Sequence, residues 1–179
     1  MRRWLAPFVV LLALLPSLTQ AARQPDDYVV LCYHDIVDLK LTPNLKLYPQ
    51  TIRRDTLIRH FNWIKQQGYH PVSFQQILDA KAGKAPLPEK AILLSFDDGY
   101  ESFYRLVYPL LKLYNYPAVF ALVGSWLDVA DDQMVPYGND KLPRSYFVGW
   151  PQIREMQDSG LVELASHTFT SHYGLLANP

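Results

Sequence analysis

A chain of 179 residues, 49% apolar and 19% charged, is long enough for one domain with a real core and too apolar for a disordered or low-complexity chain. Lys plus Arg and Asp plus Glu each number 17, so the basic excess that a nucleic-acid surface needs is missing. The one cysteine, Cys32, excludes an internal disulfide framework and a cysteine-based zinc knuckle.

The first residues read as a targeting signal. Arg2 and Arg3 precede an apolar run from Leu5 to Leu15, and Ser17, Thr19 and Ala21 give a small-residue exit before the polar stretch 23–27. The run is short for the ~30 Å hydrocarbon core of a bilayer. A cleaved signal peptide over 1–21 is expected, with export to the periplasm and no cysteine at the cleavage point to carry a lipid.

From residue 22 onward, strand and helix alternate. Tyr28–Tyr33 is a continuous apolar run, the pattern of a strand buried on both faces, and Cys32 within it reads as a small core residue. A helix is expected from about Thr51 to Gln67, with Leu57, Ile58, Phe61 and Ile64 on one face and Gly68 ending it. A short extended piece, Tyr69–Val72, leads to Ser73 and Gln76, the spacing of a capping box opening a helix through about Lys81. Ala91–Phe96 is another buried strand. Tyr100–Leu113 reads as a helix that Pro109 kinks or shortens. Ala118–Val123 is the fourth strand, and 124–149 reads as a long loop of a length more often functional than idle. Pro151 opens a short helix, Gly160 closes it, and Leu161–Ala165 is a fifth strand, again read as buried on both faces.

Such alternation implies an α/β fold with a mostly parallel sheet, open or closing into a barrel, whose ligands gather at the carboxyl ends of the strands. Those ends carry His34-Asp35, Asp97-Asp98-Gly99, Gly124-Ser125-Trp126 and Ser166-His167-Thr168, with His172 shortly after. One carboxylate and two imidazoles suit a catalytic divalent metal such as Zn²⁺, and a second carboxylate beside them suits a base. Each feature has an ordinary alternative. Asp97-Asp98-Gly99 is also turn composition, His167 and His172 also fit a solvated surface, and His34 also fits a hydrogen-bonded core histidine. Adjacent carboxylates at the end of a buried strand nevertheless repel unless a cation joins them.

Leu94-Ser95-Phe96-Asp97-Asp98-Gly99-Tyr100 and Ser166-His167-Thr168-Phe169-Thr170-Ser171-His172 resemble, in this order, the two leading motifs of the polysaccharide deacetylases, the NodB-homology family or carbohydrate esterase family 4. Histidines five apart, rather than four, are similar to the periplasmic poly-β-1,6-N-acetyl-D-glucosamine N-deacetylases of biofilm systems. Pro86–Ala91, Val123–Trp126, Leu161–Ala165 and Cys32–Asp35 fit the same subgroup. The resemblance implies a distorted seven- or eight-stranded β/α barrel, incomplete here, and metal-dependent N-deacetylation of an N-acetylglucosamine polymer. It implies Asp97 as general base, Asp98, His167 and His172 as ligands of a divalent metal (zinc before other first-row ions), and His34 and Tyr100 as substrate or supporting contacts. It also implies later motifs, among them a Leu-x-His segment that supplies a general acid, which these residues do not contain. The expectation is therefore the N-terminal part of a longer deacetylase domain over 22–179, with an N-acetylated polysaccharide as partner and an outer-membrane polysaccharide exporter as a candidate associate. Deacetylation of another glycan, such as peptidoglycan or chitin oligomers, and a non-catalytic glycan-binding module on the same scaffold are the alternatives.

Overall fold

Apolar runs separated by amphipathic helices build a parallel sheet because each crossover helix covers one face of the strands it connects. The computed structural model describes residues 26–41 and 47–172; the expected signal peptide lies outside them. In chain order the elements are β1 (Tyr28–Tyr33), β2 (Ile36–Val37), β3 (Ile52–Arg53), α1 (Arg54–Gln66), β4 (His70–Pro71), α2 (Phe74–Lys81) and β5 (Ala91–Phe96). Then follow α3 (Tyr108–Tyr114), β6 (Ala118–Leu122), α4 (Gly124–Leu127), β7 (Met134–Tyr137), β8 (Asp140–Pro143), α5 (Trp150–Asp158) and β9 (Val162–Ser166).

The main sheet has the order β1-β5-β6-β9, with β4 against the start of β5. All of its pairs are parallel, and its five strands are the five expected from the sequence. Among the described residues the sheet is open and no barrel closes. The register pairs Tyr33 with Phe96, Phe96 with Phe120 and Leu122 with Ser166. That alignment brings the loops after β1, β5, β6 and β9 to one rim.

Local signals decide the helices. Ser73 Oγ accepts from Gln76 N at 3.1 Å while Gln76 Oε1 accepts from Ser73 N at 2.9 Å, so the expected capping box is formed. Gly68 follows α1 at φ +68°, a conformation that costs glycine nothing, and Tyr69 N donates back to Ile64 O at 3.0 Å. α1 buries Leu57, Phe61 and Ile64 against the sheet, each burial stabilising by roughly 1.5–3 kcal/mol. Between β5 and β6, Phe103 stacks on Phe120 with ring centroids 4.1 Å apart. The disturbance expected at Pro109 is a widened π-turn over Phe103–Val107 leading into α3. Pro109 has no N–H to offer the preceding turn, and the wider turn absorbs the break.

Several expectations are corrected. β1 is not buried on both faces: it lies at the edge of the described sheet, and Val29 and Val30 are each 49% exposed. β9 lies at the opposite edge and is mostly half-buried, whereas β5, flanked on both sides, is nearly all buried. Cys32 is exposed at the rim rather than packed in the core. Residues 124–149 are not a plain loop. They hold α4, the antiparallel hairpin β7–β8 across Gly138-Asn139, and a short 3₁₀ turn at Arg144–Tyr146. Gly138 at φ +57° makes the tight connection. Val135, Tyr137 and Leu142 of the hairpin pack with Tyr100, Val123, Trp126 and Phe147 into a second small core beside the rim.

Asp35 ties the end of β1 to this framework. It is 7% exposed; one carboxylate oxygen accepts from Ser102 Oγ at 2.8 Å, and that hydroxyl accepts from Ile36 N at 3.2 Å. Burial holds its carboxyl above the usual aspartate range, although hydrogen bonds from Ser102 and Thr51 pull the other way. The native state therefore binds this proton more tightly than the unfolded chain does. The resulting stability is present below the ordinary carboxylate range and is lost as pH rises through the native value. Thermal unfolding across that range should show Asp35→Asn gaining on the wild type as pH rises. A constant difference between the two would contradict the assignment.

Candidate active site

The turn after β5 sends two adjacent carboxylates to different partners. Asp97 N donates to Tyr33 O at 2.9 Å, carrying the β1–β5 ladder one residue further. Asp98 and Gly99 then adopt φ +75° and +76°, a left-handed pair that Asp tolerates better than most residues and that glycine takes freely. A Cβ on Gly99 would also meet Leu122 Cδ2 at 3.1 Å. Asp97 accepts from Ser95 Oγ at 3.1 Å on Oδ1 and from Cys32 Sγ at 3.2 Å on Oδ2. Asp98, 2% exposed, places Oδ1 2.7 Å from His172 Nε2 and 3.5 Å from His167 Nε2.

The two histidines reach Asp98 by the course of the loop after β9. His167 N donates to Leu122 O at 2.8 Å, and Gly124 N and Ser125 N donate to Thr168 O and Phe169 O at 3.1 and 3.0 Å. Those bonds extend the β6–β9 pairing past both strands, and Thr168 at φ +75° bends the chain back. Phe169 fills the space beside Gly124, whose added Cβ would sit 2.5 Å from the ring. His172 then packs on Trp126 and His167, with ring centroids 4.9 and 5.2 Å away.

This trio fits a metal. Ligand atoms of Asp98, His167 and His172 all lie within 4.8 Å of one another. A carboxylate and two imidazoles are a donor set for zinc or a similar first-row ion, which binds at ~2.0–2.2 Å. A buried carboxylate also needs a cation, and two imidazole nitrogens facing it hold the place for one.

Asp97 stands beside the trio, its Oδ2 4.0 Å from His167 Nδ1. His34 and Cys32 join Asp97 in a second group whose ligand atoms also lie within 4.8 Å of one another. Desolvation, the hydrogen bond to Asp97 and the charges of Asp97 and Asp98 push the Cys32 thiol up to about 12, so it stays a protonated donor. Tyr100 contributes no ring to the rim. Its side chain is buried, stacked on Phe147 and hydrogen-bonded to the Tyr137 hydroxyl, which also accepts from Gln50 Nε2 at 2.7 Å. The roles of Cys32 and Ser95 beside Asp97 were missed in the sequence, yet a signal exists. Each stands two residues before a rim residue, on the same face of its strand, and the register pairs Cys32 with Ser95.

The chain belongs to the polysaccharide deacetylase family, whose model matches residues 84–176. It is 44% identical over 160 residues to the poly-β-1,6-N-acetyl-D-glucosamine N-deacetylase of Escherichia coli K12, covering 88% of this chain and 23% of that protein. The solved structure of a de-N-acetylase from Aggregatibacter actinomycetemcomitans is similar at a TM-score of 0.77 and 57% identity, covering 85% of this chain and 58% of that one. The BpsB deacetylase domain from Bordetella bronchiseptica matches at a TM-score of 0.71 and 43% identity, covering 88% and 61%. The chain thus spans less than a quarter of the curated Escherichia coli relative and about three-fifths of each solved chain. The expected resemblance and fold class are both borne out.

A site of this kind stabilises the native state when an ion binds it. Zn²⁺ at a hundred times its dissociation constant should add about 2.7 kcal/mol to unfolding stability. Denaturant titration with and without chelator measures this, and His172→Ala should abolish the increment. Equal stabilisation of wild type and variant would place the ion elsewhere.

Proposed function

We propose that the protein is a metal-dependent N-deacetylase that releases acetate from an N-acetylglucosamine polymer, with poly-β-1,6-N-acetyl-D-glucosamine as the substrate that kinship favours. The observation that carries this reading is Asp97 standing beside, and outside, the Asp98–His167–His172 trio. A divalent ion held by that trio, zinc by its donor set, supplies Lewis acidity for activating water and the acetamide carbonyl.

The chain's own residues do the rest. Asp97 takes the proton that water loses as its oxygen attacks the carbonyl carbon. Ser95 and Cys32 each donate to one of its oxygens, which orients the carboxylate. As the carbon–nitrogen bond breaks, the amine nitrogen needs a proton; kinship assigns that step to a later Leu-x-His segment, and His34, grouped with Asp97 at the rim, is a substrate or supporting contact. A backbone N–H at the Asp98–Tyr100 turn helps hold the developing oxyanion, while the Tyr100 ring braces the turn from below. Residues 1–21, with their charged start and short apolar run, direct this activity to the periplasm. N-terminal sequencing of periplasmic protein should begin at Ala22 or Arg23; an intact Met1 there would contradict the cleavage.

Acetate release from defined poly-β-1,6-N-acetyl-D-glucosamine oligomers tests the activity itself. Release should stop with chelator and return with added Zn²⁺. Asp97→Asn should keep metal affinity and lose at least ~10²-fold in turnover, whereas Asp98→Asn should lose the metal first. Equal metal loss in both variants would make Asp97 a ligand and overturn its role as base. Turnover only on peptidoglycan or chitin oligomers would redirect the substrate.

A further inference from the structure

A second ligand set lies on the base side of the rim. Cys32 and His34 are two residues apart at the end of β1, so they face the same way, and Asp97 holds the same relation to Ser95, the register partner of Cys32. One ligand atom each of Cys32, His34 and Asp97 lies within 4.8 Å of the other two, and Sγ is already 3.2 Å from Asp97 Oδ2. A tetrahedral ion with bonds of ~2.0–2.3 Å needs its ligands ~3.4–3.7 Å apart, a set that small side-chain rotations complete. Sulfur, imidazole and carboxylate together select borderline or soft ions such as zinc, cobalt or cadmium rather than magnesium or calcium. Cys32 is exposed, so an ion arrives directly from solvent.

We propose that Cys32, His34 and Asp97 form a second, inhibitory site for a soft divalent ion, separate from the Asp98–His167–His172 trio. Binding replaces the thiol proton, which leaves to solvent, with a metal–sulfur bond. The same ion occupies the carboxylate that the proposed reaction needs as its base, together with the imidazole beside it. The site stands on geometry alone; its inhibitory effect rests on the reading of Asp97 as base.

Titrating the metal-free full chain with Co²⁺, followed by absorbance and by acetate release, tests both parts. The first equivalent should give ligand-field bands without a thiolate-to-cobalt charge-transfer band and should raise turnover. The second should bring the charge-transfer band and lower turnover at least about tenfold. Cys32→Ser should bind one equivalent, without the sulfur band and without the fall from its own one-equivalent rate. His34→Asn should weaken the second equivalent about tenfold and leave the first unchanged. First-equivalent ligand-field bands in both variants show that the rim still folds. A sulfur band that accompanies the first equivalent, or none at any ratio, overturns the site. A sulfur band on the second equivalent with undiminished turnover keeps the site and overturns its inhibitory role, and with it the reading of Asp97 as base.

Discussion

A carboxylate with almost no access to water must be met by positive charge, and Asp98 sets that requirement at the centre of this fold. Its side chain is 1% exposed and has imidazole nitrogens 2.7 and 3.5 Å from one oxygen. Everything near it serves that meeting. The left-handed turn at Asp98-Gly99 aims the carboxylate, the β6–β9 ladder carries His167 to it, and the bend at Thr168 returns His172. Removing one partner from such a group costs far more than the attraction itself contributes, since an uncompensated charge is left buried. The neighbouring Asp97 is built differently: its hydrogen-bond donors are a hydroxyl and a thiol, with the His167 ring farther off at 4.0 Å.

Much of this was legible in the sequence, because the chemistry sits where strands end. The apolar runs of β5 and β9 located the sheet, and Asp97 and Asp98 past the first, His167 and His172 past the second, followed from what stands at their ends. Gly68 and the Ser73–Gln76 pair marked helix boundaries that are governed by a few neighbouring residues. What escaped depends on contacts distant in sequence. A continuous apolar run cannot tell a central strand from an edge strand, so the pattern alone makes β1 and β9, and Cys32 with them, look buried. The hairpin β7–β8 was hidden by Pro136 and by strands only four residues long, although Gly138-Asn139 was a usable turn signal. The capping of α2 by Glu163, whose carboxylate accepts from Phe74 N and Gln75 N, joins elements almost ninety residues apart.

The second small core packs against both halves of the rim. Tyr100 leaves the metal-side turn and enters a cluster with Trp126, Tyr137 and Phe147, and Trp126 also packs on His172. One aromatic cluster thus contacts both the loop after β5 and the loop that brings His172 home. The segment 124–149 is in this sense structural support for the site. Its length reflects a hairpin that buries Val135, Tyr137 and Leu142 in this cluster.

Asp98, His167 and His172 offer one ion a carboxylate and two imidazoles, with Asp97 and Cys32 outside that set. X-ray absorption at the zinc edge, on the chain loaded with a single equivalent, reads that shell directly. Nitrogen and oxygen neighbours at ~2.0–2.2 Å, an imidazole outer-shell pattern for two histidines, and no sulfur are expected. A sulfur neighbour at ~2.3 Å in that sample would place the first ion on Cys32 and contradict the assignment of the site.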